Sequence, residues 1–217
     1  MKNTSEAILN RLIERYPLLE NCKFEIFRAA QELITCYQRD GKLLVCGNGG
    51  SAADSEHIVG ELMKEFALPR KLSEKTKKEF YRMFGDEAEY LCSNLQYALP
   101  AISLVSETAL ATAYSNDNAS DLYFAQQVWG HGKSGDIFLG ITTSGNSKNV
   151  IYATKVAQFK HMVTIALTGR SGGKIKEIVD IAIVVPEEET YRIQEYHLPI
   201  YHALCAAVEN EFFGSGM

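Results

Sequence analysis

The sequence predicts one α/β domain built on a doubly wound, five-stranded parallel sheet flanked by helices. Five short apolar runs alternate with segments of helical periodicity, the order expected of a parallel sheet with helical crossovers. The runs are apolar almost throughout, so helices are expected to cover both faces of each strand. The 217 residues suffice for one such domain and are too few for two. The predicted strands span residues 43–46, 100–105, 137–141, 162–167 and 181–185.

Two helices are predicted ahead of the first strand, within residues 1–40. One apolar stripe at helical spacing lies between residues 8 and 13 and a second between residues 24 and 34, with Tyr16 and Pro17 between them. These stripes are more apolar than a solvated arm requires. We expect this helical pair to pack on the domain or on a neighbouring subunit, with a role in oligomerisation favoured, and residues 41–217 to form the domain itself.

A charged segment at about residues 69–98 separates the first two strands. Lysine and glutamate dominate it, with a few aromatic residues between them. The segment is interpreted as a charged helical insertion or lid, and the alternative is a solvated helical face.

The composition of the chain argues against nucleic-acid-binding, membrane and secreted proteins. The net charge of −5 and the pI near 5.6 argue against nucleic acid as the main partner. No apolar run approaches the roughly 20 residues of a membrane span, and the polar opening does not have the form of a signal peptide. The five cysteines show no CxxC spacing and read as reduced thiols. A cytoplasmic protein that does not bind membranes is expected.

A glycine-rich turn, GNGGS, follows the first predicted strand. It includes Asn48, Gly49 and Ser51, and Ser51 is expected to open a helix. Strand, glycine turn and helix start together point unpaired backbone N–H groups at an anion, most often a phosphate. The turn matches neither the Walker loop nor GxGxxG, so no nucleotide is expected. The alternative is a tight turn before a surface helix.

A second polar loop, TTSGNS, follows the third predicted strand. It carries the hydroxyls of Thr142, Thr143, Ser144 and Ser147 at the beginning of a helix. Hydroxyls and helix N-terminal amides together can hold a phosphate dianion. Ligands of such sheets bind beyond the carboxyl ends of the strands, so the two loops predict a phosphorylated small molecule. The TGRSGG loop after the fourth strand is left as either a third contributor or a simple turn.

Two helices carry candidate catalytic or metal-binding side chains. His57 and Glu61 are four residues apart on the helix after GNGGS and therefore share a face. Gln194 and His202 lie eight apart on the closing helix, from about residue 191 to 213, where Pro199 could introduce a kink. Taken alone, each of these four residues is more often an ordinary surface or core residue than a ligand or a catalytic group. Together they form a zinc or other divalent-metal set, atypical because of the amide.

Several motifs stand in the order and spacing of the sugar isomerase (SIS) domain family, and the chain most resembles its phosphoheptose isomerase branch. The motifs are GNGGSAADSEH, SNDNASD, TTSGNSKNV, LTGRSGGK and RIQEYHLPIYH. The resemblance implies an SIS-type fold and isomerisation of sedoheptulose 7-phosphate to D-glycero-D-manno-heptose 7-phosphate. It implies that the substrate contacts Asn48, Gly49, Ser51, Asp117, Thr142, Thr143, Ser144, Ser147 and Gln194. It also implies zinc at His57, Glu61, Gln194 and His202, and a homotetramer with active sites between subunits.

The resemblance assigns acid/base catalysis to Glu61 and His202. Aldose–ketose isomerisation through an enediol(ate) needs a base, an acid or proton shuttle and stabilisation of the anion. Glu61 as base and His202 as acid is the favoured assignment, and the reverse stays open. Departures from the branch occur at Glu65, where many members have arginine, at Tyr191, where aspartate is frequent, and in the longer charged segment.

Two other functions compete with isomerisation. One is a non-catalytic SIS protein that senses a phosphosugar or binds a partner. The other is a different phosphosugar enzyme, such as a lyase or a deaminating isomerase. The presence of both Glu61 and His202 favours the isomerase, because a pure binder does not need the pair.

Overall fold

A computed structural model describes residues 1–214, which contain one five-stranded, all-parallel sheet with the strand order β2-β1-β3-β4-β5. The strands are β1 Leu43–Gly47, β2 Ala101–Ser103, β3 Ile137–Thr142, β4 Val163–Thr168 and β5 Ile181–Val184. The predicted doubly wound parallel sheet is confirmed. The chain passes from β1 outward to β2 and later returns to β3 on the other side of β1. The strand order therefore reverses between β1 and β3, where such sheets bind ligands.

Helices form the crossovers and the outer layers. They are α1 Asn3–Arg15, α2 Lys23–Gln38, α3 Gly50–Met63, α4 Glu74–Phe84, α5 Ala88–Asn94, α6 Thr108–Asp117, α7 Tyr123–His131, α8 Lys148–Phe159 and α9 Thr190–Phe213. The helix α3 begins at Gly50, with Gly49 as its N-cap, so it starts one residue earlier than the sequence predicted. The helix α9 continues through Pro199.

Alternate residues of each central strand belong to two separate cores. Leu43 and Val45 of β1 join the cluster formed with α1, α2, α3 and α9, whereas Leu44 and Cys46 join the cluster formed with α7 and α8. This division follows from the two-residue repeat of a strand. Burial of both faces explains why the sequence shows continuous apolar runs rather than alternation.

The two N-terminal helices bury their apolar stripes within this chain. Leu9 and Leu12 of α1 and Ile26 and Leu33 of α2 belong to the same core cluster as the sheet and α9. Outside this core, Leu18 and Phe24 remain 50% and 68% exposed. The separate helical unit at residues 1–40 and its use in oligomerisation stay predictions.

The charged segment folds into α4 and α5, joined by a short 3-10 turn at Gly85–Glu87. Ser73 caps α4, because its Oγ accepts a hydrogen bond from the Thr76 N–H at 3.2 Å. No residue of α4 is buried, and a bridge between Lys71 and Gln96 closes the base of the segment.

Within residues 1–214, no helix combines the length and the apolar character that crossing a membrane requires. All five cysteines are buried, and none forms a disulfide in this part of the chain.

Candidate active site

The GNGGS and TTSGNS loops meet at the carboxyl edge of β1 and β3. These strands are neighbours, with Gly47 opposite Ile141 in the register. Asn48 and Asn149 join the loops through two reciprocal amide hydrogen bonds of 3.0 and 2.9 Å. Asn149 was not among the predicted site residues, although the TTSGNSKNV motif includes it. The two predicted phosphate-binding loops therefore form one surface.

The helices α3 and α8 both begin at this surface. The N-cap of α3 is Gly49, which has no side chain, and the side chain of Ser147, the N-cap of α8, does not bond the first amides of its helix. Gly49 adopts a φ of 58°, which glycine reaches without strain. The Ser147 hydroxyl instead pairs with that of Thr142 at 3.0 Å. The arrangement offers helix N-terminal N–H groups and hydroxyls to a single anion.

The TGRSGG loop after β4 braces the TTSGNS loop. Gly145 has a φ of 67°, and a Cβ at this position would lie 1.9 Å from the Gly172 carbonyl oxygen. The Ile175 N–H donates to the Gly145 carbonyl at 3.0 Å, and the Gly169 N–H donates to the Thr143 carbonyl at 3.2 Å. The sequence did not decide whether this loop contributes to the site or is a simple turn. Its structure shows that it supports the neighbouring loop by backbone contact.

The helices α3 and α9 lie side by side and run in the same direction. The Gln194 side chain touches the beginning of α3, because a Cβ on Gly50 would lie 2.4 Å from Gln194 Nε2. Two turns further along each helix, the ring centroids of His57 and His202 are 4.9 Å apart. The parallel packing therefore spreads the predicted residues along a groove, with Gln194 at the loop end and His202 further from it.

Glu61, His57 and His202 form one cluster. His57 Nε2 lies 3.0 Å from Glu61 Oε1, and Lys64 Nζ lies 3.6 Å from the other Glu61 oxygen. Only 14% of the Glu61 side chain is exposed, so its carboxylate lies beside these two partners and is largely shielded from solvent. The structure thus brings together the two residues predicted to act as acid and base.

Tyr201 and Asp54 extend this cluster and were missed by the sequence analysis. The Tyr201 hydroxyl lies 3.0 Å from His57 Nδ1 and 3.3 Å from Asp54 Oδ1. Asp54 precedes His57 by three residues on α3, so helical spacing was the available signal. Tyr201 fixes the ring of His57 from the side opposite Glu61.

Burial shapes the ionisation of this cluster. Desolvation and the neighbouring His57 lower the pKa of His202, against the opposing effect of Glu61. The His202 Nε2 atom is buried and has no hydrogen-bond partner among residues 1–214. Desolvation raises the pKa of Asp54 and of Tyr201. His202 is therefore a neutral imidazole at neutral pH, and its buried Nε2 is unpaired among residues 1–214.

Asp117 lies apart from this cluster as the last residue of α6. Its carboxylate accepts a hydrogen bond from the side chain of Asn116 at 2.9 Å. No residue of α6 is buried, so the helix rests on the surface of the molecule. The contact of Asp117 with a sugar stays a prediction.

The predicted metal ligands are only partly assembled. Residues 1–214 contain no group of three His, Cys, Asp or Glu side chains arranged to bind a metal ion. His57, Glu61 and His202 are nevertheless neighbours, and the buried, unpartnered His202 Nε2 is a nitrogen of the type that zinc binds. Gln194 lies at the other end of the groove, against Gly50.

The model of the SIS domain family matches residues 8–77 and 84–169, from α1 through the end of β4. The chain belongs to the SIS domain family. The matched residues include both phosphate-type loops and the helix that carries His57 and Glu61, so the SIS fold accounts for the placement of these groups.

Curated relatives identify the branch of the SIS family. The chain is 40% identical to the phosphoheptose isomerase of Citrifermentans bemidjiense over 87% of this chain and 84% of the relative. It is 37% identical to that of Clostridium acetobutylicum over 99% of this chain and 97% of the relative, a match that runs through the charged segment. The structure of the Neisseria gonorrhoeae phosphoheptose isomerase superposes with a TM-score of 0.73 at 35% identity, covering 94% and 96% of the two chains. The chain lies in the phosphoheptose isomerase branch.

Proposed function

We propose that this SIS protein is an aldose–ketose isomerase that converts sedoheptulose 7-phosphate to D-glycero-D-manno-heptose 7-phosphate. The observation that carries the proposal is the cluster of Glu61, His57 and His202 in a groove that begins at two helix N-termini. A proton-transfer pair and an anion-binding surface on one groove suit a phosphorylated sugar. The relatives named phosphoheptose isomerase support the seven-carbon substrate.

The phosphate is proposed to bind where α3 and α8 begin. Ser51, Thr142, Ser144 and Ser147, with Thr143 beside them, supply hydroxyls, and the first amides of both helices supply N–H donors. Ser51 and Thr142 are 3% exposed each, so their hydroxyls are held by packing. Asn48, Gly49, Gln194 and Asp117 are proposed to contact the sugar.

The isomerisation needs one proton moved between carbons and another between oxygens. We assign Glu61 as the base that takes the proton from C1 of the ketose and returns it to C2. His202, neutral because of its lowered pKa, donates its N–H proton to O2 and then accepts the proton of O1. This exchange passes through an enediol(ate) and leaves both groups in their starting states. The reverse assignment of the two roles stays open.

Zinc is proposed at His57, Glu61, Gln194 and His202. In one chain Gln194 lies at the loop end of the groove, against Gly50, so the proposal requires Gln194 to reach the other three ligands from a neighbouring subunit. The imidazole, carboxylate and amide donors suit a divalent ion, which would supply Lewis-acid stabilisation of the enediolate oxygens. The neighbouring positions of His57, Glu61 and His202 and the unpartnered His202 Nε2 support the proposal.

A homotetramer with active sites between subunits is also proposed, with the N-terminal helices in its contacts. From Ser51 to Glu61 the helix α3 rises about 15 Å, so the phosphate loops and the acid/base cluster lie at different positions along the groove. A site that combines the phosphate loops of one subunit with the acid/base cluster of another would bring the two closer together. The exposed Phe24 and Leu18 offer apolar surface for such contacts. The mass of the protein in solution tests this assembly.

Incubation with sedoheptulose 7-phosphate in heavy water tests the function directly. We expect aldose product together with deuterium at the carbon next to the carbonyl, because the abstracted proton exchanges with solvent. Other phosphorylated ketoses and aldoses serve as the comparison panel. Binding of these sugars without aldose–ketose exchange or deuterium uptake would indicate the non-catalytic alternative and refute the isomerase.

A further inference from the structure

A fully buried ion pair lies at the end of the groove that carries the acid/base cluster. Arg70 follows α3 in the chain and Glu209 lies on α9, and both side chains are inaccessible to solvent. Arg70 Nε lies 2.8 Å from Glu209 Oε1. Removing two charges from water costs several kcal/mol per ion, so such a pair needs additional hydrogen bonds at both ends. It has them.

Glu209 holds the loop that follows α3. Its Oε1 accepts the Phe66 N–H at 2.8 Å in addition to Arg70. Its Oε2 accepts the N–H groups of Ala67 and Leu68 at 2.8 and 3.0 Å. Three consecutive backbone amides are therefore fixed to one carboxylate on α9.

Arg70 caps the last turn of α3. Its Nη1 donates to the Leu62 carbonyl at 2.5 Å, and its Nη2 donates to the Glu61 carbonyl at 3.0 Å. Carbonyls of a last helical turn have no partner within the helix, and a cation is favoured there by the helix dipole. The backbone of the proposed base is thus tied directly to the guanidinium.

The same pair reaches the proposed acid. Glu209 follows His202 by seven residues on α9, about two turns, so both lie on one side of that helix. Phe66, whose N–H is bound by Glu209, places its ring centroid 5.5 Å from that of His202. One buried carboxylate therefore restrains both the helix end that carries Glu61 and the ring that packs on His202.

We propose that Arg70 and Glu209 are positioning residues that hold Glu61 and His202 at the separation required for proton transfer. This inference rests on the proposed isomerase function. Catalytic groups must be held within about 0.5 Å of their productive geometry by packing and by hydrogen bonds from supporting residues, and this buried pair supplies such hydrogen bonds. Neither residue touches the substrate in this assignment.

Glu209→Gln tests the proposal. Each Glu209 oxygen accepts two N–H groups, so the amide NH₂ of glutamine faces two donors in either orientation. We expect kcat to fall by roughly 30-fold while KM stays within about twofold, because the phosphate loops are untouched.

Asp136→Asn is the matched control. Asp136 is 3% exposed, pairs with Lys42, and accepts the backbone N–H groups of Lys42 and Lys133 at 3.0 and 2.8 Å. It precedes β3 at the amino edge of the sheet, opposite the site. This variant is expected to lose thermal stability but to keep kcat. Equal losses of kcat in the two variants, or a parental kcat in Glu209→Gln, would overturn the proposal.

Arg70→Lys decides the matter if Glu209→Gln does not fold. Lysine keeps the buried positive charge but lacks the planar fork that reaches both carbonyls. A folded Arg70→Lys with reduced kcat and unchanged KM supports the positioning role. An Arg70→Lys with parental kcat, or one that also fails to fold, contradicts it. A parent that isomerises no phosphosugar refutes the proposed function itself, a result distinct from an active parent with unaffected variants.

Discussion

At the scale of single residues, Glu61 is the centre of the proposed chemistry. His57 and Lys64 both approach its carboxylate, and the side chain is largely shielded from solvent. These contacts hold the carboxylate in one orientation without a role for the phosphate loops. Substrate binding and proton abstraction are therefore expected to be separable by mutation.

Glu61→Gln is expected to lower kcat by about 10³-fold, because the amide cannot accept the substrate proton. Affinity for sedoheptulose 7-phosphate, measured by calorimetry, is expected to stay near that of the parent. Glu56→Gln is the control, since Glu56 is an exposed carboxylate on the same helix. Parental turnover in Glu61→Gln would remove this residue from the mechanism.

His197 is a buried residue whose role is structural. Burial lowers its pKa from 6.5 to about 4, and its Nε2 lies 3.3 Å from the Thr168 carbonyl. The unfolded chain binds a proton at this histidine at higher pH than the folded chain does. The contribution of His197 to the free energy of unfolding is therefore fully present above pH 6.5 and is lost as the pH falls towards 4.

The unfolding free energy of the parent is expected to drop by about 3 kcal/mol more than that of His197→Gln between pH 7 and pH 4. Urea unfolding at the two pH values measures the difference. His131→Gln, at an exposed histidine that ends α7, is expected to follow the parent. Identical pH dependence in parent and His197→Gln would show that His197 does not contribute.

At the scale of elements, the loops after β3 and β4 act as one unit. Gly145 and Gly173 both have positive φ, and a Cβ on either would collide with backbone of the other loop. The close approach leaves the Thr142 and Ser147 hydroxyls paired in front of α8. The shape of the proposed phosphate site therefore depends on glycines that do not themselves contact the phosphate.

Gly145→Ala is expected to lower stability by about 3 kcal/mol and to raise KM by about tenfold, through backbone strain and displacement of the loop. Thermal unfolding and steady-state kinetics measure the two effects. Gly135→Ala is the matched control, because Gly135 has a φ of 88° but open space around its Cβ position. It is expected to lose about 1 kcal/mol and to keep its KM. A parental KM in Gly145→Ala would argue against a role of this loop in substrate binding.

At the scale of the whole molecule, the proposed site extends along the groove between α3 and α9. The Glu61 cluster and the phosphate loops lie at different positions along α3, and Gln194 lies at the loop end. Association of chains would bring the loops of one subunit to the cluster of another. A zinc ion would bind the histidines and the carboxylate of the cluster together with Gln194.

Protein purified without chelator is expected to contain one zinc ion per active site, measured by elemental analysis. His57→Ala is expected to lose the metal, because it removes an imidazole from the cluster. His131→Ala, at an exposed histidine outside the groove, is expected to retain it. Parent protein that contains no zinc, even after addition of the ion, would refute the metal proposal.

The order of elements along the chain was predictable from local patterns. Continuous apolar runs gave the five strands, because a strand covered on both faces needs apolar residues at every position. The glycines and hydroxyls at the strand ends predicted the loops GNGGS and TTSGNS, and the parallel order predicted that these loops share one edge. Helical spacing placed His57 beside Glu61.

Tertiary structure alone decided which distant side chains meet. Asn149 pairs with Asn48, Tyr201 bonds His57, and Arg70 pairs with Glu209, although 139 residues separate the last two. No sequence spacing encodes such contacts, because they depend on how α3 packs along α9. The sequence by itself determined the fold class. It also predicted the anion-binding loops and, through the family resemblance, the acid/base pair, and these stay predictions. The packing of α3 on α9 decided their arrangement, since side-chain contacts between helices follow from their relative position and not from either helix alone.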